Sequence, residues 1–160
     1  MVQTRSKRAK TVLALDLGSK TGWALRHGEQ TTHGVWFFTP RRFEGGGMRY
    51  LRFRKQLEEV LDLVDTIGEL YFEEVRGHKG TTAAQVYGGM LATLTAWCEE
   101  RGIPYAGIHT GELKKHATGK GNASKEMMMK ASHDAGWNPV DDNDCDALWI
   151  LDFAASKFRA

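Results

Sequence analysis

Acidic side chains at three places in the sequence have the types and spacing that metal-dependent chemistry requires. Asp16 ends one apolar run, and the adjacent pair Glu73 and Glu74 ends another. Asp142 and Asp146 are spaced so that a helix brings them to one face. Grouped carboxylates raise each other's pKa unless protons or cations neutralise them. Their hard oxygens favour Mg²⁺ or Mn²⁺, and two such ions can activate water against a phosphodiester and stabilise its leaving oxygen.

The two strand-end acids must come from neighbouring strands if they are to act together. If the strands ending at Asp16 and Glu73 are parallel neighbours, these side chains stand roughly 5 Å apart. Consecutive residues of a strand point to opposite faces, so only one of Glu73 and Glu74 can share the side of Asp16. Periodicity alone leaves that choice open.

The last helix offers more than one partner for Asp146. Both Asp142 and Asn143 lie within one helical turn of it on the same side, whereas Asp144 turns away. The face of Asp146 continues through apolar residues that should pack on a sheet, namely Ala147, Ile150 and Ala154. Asp146 is therefore expected at a buried margin, where a carboxylate needs a neutralising partner.

The elements that must position these acids follow a mixed α/β order. Apolar and aromatic runs predict strands at residues 11–17, 21–27, 32–38, 69–75 and 105–109. Helical spacing and stop signals predict helices at residues 48–67, 81–101, 124–135 and 142–158. This order indicates one α/β domain over residues 11–160, with a five-stranded mixed sheet whose first three strands are antiparallel, flanked by helices.

Composition limits the classes to which the protein can belong. With 160 residues, 41% of them apolar, the chain suits one folded domain, and a mean hydropathy of −0.45 with no long apolar run argues against a membrane protein. The two cysteines fit no metal or disulfide spacing, which favours a reducing compartment. Residues 1–10 form a basic arm that either touches nucleic acid or is a solvated end. They lack a secretory signal, and a short organellar presequence stays open.

Four segments carry a resemblance to a known family. They are LALDLGSKTGWAL at 13–25, YFEEV at 71–75, LKKHATGKGNASKEMMM at 113–129 and DDNDCDALWIL at 141–151. In this order and spacing they resemble the RuvC-type Holliday-junction resolvases, particularly the phage-borne branch. The resemblance implies a ribonuclease H-like fold, a homodimer, and metal-dependent, structure-selective cleavage of four-way and other branched DNA. It also implies two Mg²⁺ ions per active site, with Mn²⁺ able to substitute, and paired nicks that leave 5′-phosphate and 3′-hydroxyl ends.

The resemblance assigns roles to individual acids. The first-strand aspartate of the family falls on Asp16, its fourth-strand glutamate on Glu73, and the aspartate before Ala-Leu in its last helix on Asp146. The family's remaining ligand, often an acid or histidine, falls on Asn143, where this sequence departs from the pattern. Either the amide oxygen of Asn143 or the carboxylate of Asp142 takes its place, and Asp142 is favoured because it carries the charge.

Basic residues near the acids are the expected DNA contacts. The family's DNA-contacting lysines fall on Lys114 and Lys125, with Lys115 and Lys120 nearby, and without the resemblance these would be read as a solvated charged segment. Arg76 and His78 lie on the loop that in this family reaches into the junction, although His78 could equally be a merely exposed residue.

Other interpretations of the sequence stay open. The departure at Asn143 is compatible with an accessory protein that binds junctions but cuts them weakly, and the same carboxylates could serve a nuclease acting on other branched DNA or on RNA. The segment DLGSKTG also resembles the phosphate loop of sugar kinases and actin-like ATPases, but those proteins need two such domains. The small residues at 88–89 could serve a dimer contact or packing within the subunit. The resemblance implies a protein of the bacterial or phage-infected cytoplasm, without a membrane partner or an organic cofactor.

Overall fold

The computed structural model describes residues 10–160, which contain a five-stranded sheet in the order β3-β2-β1-β4-β5. The strands are β1 (Val12–Asp16), β2 (Lys20–His27), β3 (Gln30–Phe37), β4 (Glu69–Glu74) and β5 (Tyr105–His109). The helices are α1 (Gly47–Val64), α2 (Thr81–Arg101), α3 (Thr110–Thr118), α4 (Lys125–Asp134) and α5 (Asp142–Lys157). The basic arm predicted at 1–10 lies, except for Lys10, outside the described residues.

Strand pairing confirms the predicted mixed sheet. β1, β2 and β3 form an antiparallel meander in which Asp16 pairs with Gly22, and β1 pairs in parallel with β4 so that Leu15 lies opposite Phe72. β5 continues the parallel half at the other side of β4. The carboxyl ends of β1, β4 and β5 therefore meet at one edge of the sheet.

Alternation along the strands divides the core between the two faces of the sheet. Leu13 and Leu15 of β1 belong to the apolar cluster that α1 and α2 cover. Val12 and Ala14 belong to the cluster on the opposite face, where α5 supplies most of the buried side chains and α3 and α4 complete the layer. Because side chains alternate with a period of two, Asp16 points to the α5 face.

The α1 and α2 helices pack closely enough to require a small residue at their contact. A Cβ atom at Gly89 would lie 2.4 Å from the ring of Tyr50, whereas a Cβ at Gly88 would meet nothing within 4 Å. Gly89 therefore serves packing within the subunit. The dimer contact at Gly88 stays a prediction.

One helix differs from the sequence interpretation. No element is predicted over residues 110–118, yet α3 runs from Thr110 to Thr118 and ends at the left-handed Gly119. Only Leu113 of this helix is buried, so the sequence has no apolar periodicity that would predict the helix.

Both cysteines are buried free thiols. No helix within residues 10–160 is long and apolar enough to cross a membrane.

Candidate active site

Three carboxylates from distant parts of the chain meet at the carboxyl edge of the sheet. Oxygen atoms of Asp16, Glu73 and Asp146 all lie within 4.8 Å of one another. Asp16 ends β1, Glu73 lies near the end of β4, and Asp146 lies one turn into α5. These three residues are called the acidic cluster below.

Strand alternation explains which acid of the β4 pair joins the cluster. Tyr71, two residues before Glu73, packs into the core on the α5 face, so Glu73 points to the same face and is buried there. Glu74 points the other way and lies 3.2 Å from Nδ1 of His109, the residue that it opposes across the β4–β5 ladder. The two neighbouring acids are thus separated by the sheet.

The first turn of α5 is held against the sheet by close backbone packing. A Cβ atom at Gly22 of β2 would lie 1.9 Å from the carbonyl oxygen of Asn143, so only a glycine allows this approach. The turn is capped by Asp141, whose Oδ1 accepts a hydrogen bond of 2.9 Å from the backbone N–H of Asp144. Because Gly22 pairs with Asp16, this contact brings the helix start next to the acid of β1.

The cluster lacks positive charge of its own. Burial raises the pKa of Asp16 well above its usual range, and the carboxylates of Asp146 and Glu73 raise it further. Burial, followed by Glu73 and Asp142, raises the pKa of Asp146 to about 7, although Lys114 and Lys125 oppose that shift. Desolvated carboxylates in such proximity need protons or a bound cation, and an all-oxygen donor set suits Mg²⁺ or Mn²⁺.

We expect Asp146→Asn to stabilise the metal-free protein at neutral pH. Since the pKa of Asp146 rises from 3.8 to about 7 on folding, the folded state binds this proton more tightly than the unfolded state does. The contribution of Asp146 to the free energy of unfolding is therefore fully present below about pH 4 and is lost as the pH rises to about 7. At about 1.4 kcal/mol per pKa unit, the variant should gain a few kcal/mol at pH 8. Thermal denaturation in EDTA should show a melting temperature raised by roughly 5–10 °C at pH 8 and little change at pH 4. A variant that melts below the wild type at pH 8 would contradict this expectation.

Asp142 and Asn143, the two candidates for the fourth metal ligand, make different side-chain contacts. The Asp142 carboxylate lines the same cavity as Glu73 and Asp146, and its Oδ2 is 3.2 Å from Nζ of Lys125. The Asn143 amide instead turns back and donates a hydrogen bond of 3.3 Å to Asp141 Oδ2. Asp142 does not belong to the acidic cluster as found in the described residues.

Two of the four lysines singled out from the sequence converge on the site. Lys114 of α3 and Lys125 of α4 line a cavity of about 160 Å³, and the acids that line it with them are Glu73, Asp142 and Asp146. Lys115 and Lys120 are exposed and are not among its lining residues. Thr110, which sequence reasoning missed, also lines the cavity, and its only signal is its place just after a strand, at the start of a helix.

The loop after β4 places the other two expected DNA contacts beside the site. Arg76 is exposed, and its Nη2 lies 3.0 Å from Nε2 of His109. His78 packs against Tyr87 with ring centroids 4.9 Å apart, and Tyr87 in turn donates a hydrogen bond of 2.8 Å to the carbonyl oxygen of Glu73. His78 is therefore linked through one aromatic ring to the strand that carries Glu73.

Comparison with known proteins gives matches at the level of structure. No protein-family model and no curated protein matches the chain. The Thermus thermophilus RuvC in complex with Holliday junction substrate superposes with a TM-score of 0.72 at 20% identity, covering 89% of this chain and 90% of that one. The yeast mitochondrial Holliday junction resolvase Ydc2 gives 0.59 at 15% identity, covering 88% and 75%. The human cytomegalovirus terminase nuclease domain gives 0.52 at 12% identity, covering 99% and 89%.

The five-stranded mixed sheet with its flanking helices is thus a ribonuclease H-like fold. It matches the fold of RuvC, as the sequence resemblance implied.

Proposed function

We propose that this protein is a metal-dependent, structure-selective endonuclease that resolves four-way DNA junctions, and other branched DNA, in the cytoplasm of a bacterial or phage-infected cell. The observation that carries the proposal is the convergence of three carboxylates within 4.8 Å, beside two lysines, in a RuvC-type fold. A junction is the substrate that the matched Thermus thermophilus RuvC holds.

The residues of the acidic cluster fit divalent cations. Asp16 would contribute to two Mg²⁺ ions, with Glu73 holding one and Asp146 with Asp142 the other; Mn²⁺ would substitute. When bound, the ions would supply the Lewis acidity that activates water and stabilises the leaving oxygen, giving 5′-phosphate and 3′-hydroxyl ends.

The protein's own cations would bring the DNA backbone to the acids. Lys114 and Lys125 line the cavity and can neutralise the phosphate that enters it. Arg76 and His78 on the adjacent loop are proposed to contact the bases at the exchange point, and Lys115 and Lys120 the backbone further out. Because resolution needs two nicks, a homodimer with a twofold axis matches the symmetry of the substrate.

A junction-cleavage assay tests this function. A labelled four-way junction, a fork, a flap, a duplex and an RNA junction are incubated with the protein, with Mg²⁺ or with EDTA. We expect paired nicks in the four-way junction only with Mg²⁺, and much slower cutting of duplex. Equal cutting of every substrate, or a clear preference for RNA, would assign the site to another nuclease activity.

Because Asn143 departs from the residue types that the RuvC-type family has at this position, a second candidate function is that of a junction-binding accessory protein with little turnover. The side-chain amide of Asn143 donates a hydrogen bond to Asp141 and offers no charge to a cation. A titration with Mg²⁺ and Mn²⁺ separates the two functions. Tight junction binding without metal binding or nicking at any pH would favour the accessory role.

We expect Lys125→Ala to weaken junction binding and to reduce its salt dependence. The lysine lies at the mouth of the site, 81% exposed, and a single lost phosphate contact should lower the slope of log K against log salt by about one. Lys130→Ala is the matched control, because Lys130 lies on the same helix, is similarly exposed, and pairs with Asp134 away from the cavity. Fluorescence anisotropy at several salt concentrations measures both. Equal slopes for the two variants would remove Lys125 from the DNA path.

A further inference from the structure

A second buried carboxylate lies beside the acidic cluster without belonging to it. Asp144 of α5 is fully buried and faces away from Asp146, toward the edge strand β3. Its Oδ1 has no hydrogen-bond partner within the described part of the chain. Burying a charged group is unfavourable unless it is paired, so this placement calls for a compensating interaction.

The compensation comes from a residue 111 positions away in the chain. Nδ1 of His33 on β3 donates a hydrogen bond of 2.7 Å to Asp144 Oδ2, and the backbone N–H of Val140 donates one of 2.8 Å to the same oxygen. The backbone N–H of Asp144 is itself bound by the Asp141 side chain. The start of α5 is thus tied to the sheet and to its own preceding loop through one carboxylate.

Helix capping alone does not account for this arrangement. An acid three residues after the N-cap can reach back to a backbone N–H while it remains solvent-exposed, as in a capping box. Here the acid is buried and its partner is on another element, so the pair fixes where the first turn lies on the sheet. That turn carries Asp142 and, one turn on, Asp146.

We infer that His33 and Asp144 are positioning residues, which hold the first turn of α5 so that Asp146 and Asp142 face Asp16 and Glu73. Neither residue of the pair belongs to the acidic cluster or lines the cavity beside it. The inference rests on the proposed metal site and is independent of which DNA is cut. Groups hydrogen-bonded directly to metal ligands typically contribute 10–100-fold to metal affinity or activity, and this pair, which acts through the helical turn that carries the ligands, is expected at the lower end of that range.

The test is the Mn²⁺ affinity of the full-length protein, measured by calorimetry, for His33→Ala and His33→Asn. We expect His33→Ala to lose at least about 10-fold in Mn²⁺ affinity, while metal-free junction affinity stays within about twofold. His33→Asn, which keeps a donor near the position of Nδ1, should stay within about threefold of wild type. His27→Ala is the control, since His27 on β2 also bonds a side chain through Nδ1, 2.9 Å from Thr11 Oγ1, far from the cluster.

Each outcome of this test either supports or overturns the positioning role of His33 and Asp144. A folded His33→Ala protein that melts at a lower temperature but binds Mn²⁺ like the wild type would reduce the pair to a stabilising contact and overturn the inference. If His33→Ala does not fold, His33→Asn and His33→Gln are compared, because glutamine places its amide beyond the Nδ1 position. At least about 10-fold tighter Mn²⁺ binding by the asparagine variant supports the inference, and equal binding overturns it. A wild type that binds Mn²⁺ but cuts no junction would overturn the proposed nuclease function and leave this inference standing.

Discussion

Asp16→Asn is expected to abolish junction cleavage while junction binding stays nearly intact. Asp16 shares the acidic cluster with Glu73 and Asp146, and asparagine there would remove a charge that the proposed cations need without changing the shape of the site. We expect the single-turnover nicking rate to fall by at least about 10³-fold, which corresponds to roughly 4 kcal/mol of transition-state stabilisation. Gel mobility shift in Ca²⁺ or EDTA should give a junction affinity within about threefold of wild type.

Glu74→Gln is the control for this experiment. Glu74 is the neighbour of Glu73 on β4 but lies on the other side of the sheet, so its neutralisation leaves the acidic cluster unchanged. Its nicking rate should stay within about threefold of wild type. Nicking retained by the Asp16→Asn protein would remove that carboxylate from the mechanism.

Gly22→Ala is expected to have the second largest effect, on both stability and cleavage. The new Cβ would lie 1.9 Å from the carbonyl oxygen of Asn143 and 2.9 Å from the backbone nitrogen of Asp144. These are backbone atoms, so no side-chain rotation relieves the clash and the start of α5 must move. Overpacking of this kind costs about 1–3 kcal/mol or more, and a displacement of about 1 Å can lower a rate 100-fold.

Thermal denaturation and Mg²⁺-dependent nicking measure the two consequences of Gly22→Ala. Gly47→Ala is the control, because a Cβ at Gly47, the first residue of α1, meets nothing within 4 Å, and alanine in a helix should stabilise it slightly. A Gly22→Ala protein with wild-type melting temperature and nicking rate would mean that the position of α5 is not set by this contact.

Much of the sheet follows from the sequence because its strands are short, apolar and bounded by turn residues. The parallel pairing of β1 with β4, and the period of two along each, are enough to bring Asp16 near one acid of the β4 pair. The separation of Glu73 from Glu74 likewise needs only alternation, once the buried face is known. Helix α2 was predicted with the bounds that the structure has, since Gly102 ends it in the left-handed conformation.

The parts that sequence patterns missed depend on contacts between distant residues. Asp144 was expected only to turn away from Asp146, and nothing local to it indicates that it is buried against His33 of another element. Helix α3 has a single buried residue, Leu113, and so gives no periodic signal. The different roles of Asp142 and Asn143 depend on side-chain directions set by Lys125 and Asp141.

The most direct measurement is anomalous diffraction from crystals of the protein grown with Mn²⁺ at a concentration that supports junction nicking. We predict anomalous peaks at roughly 2.1 Å from carboxylate oxygens of Asp16, Glu73 and Asp146, with the second ion toward Asp142. An acidic cluster without anomalous signal, in a protein that cuts junctions under the same conditions, would contradict the assignment of these carboxylates as the metal site.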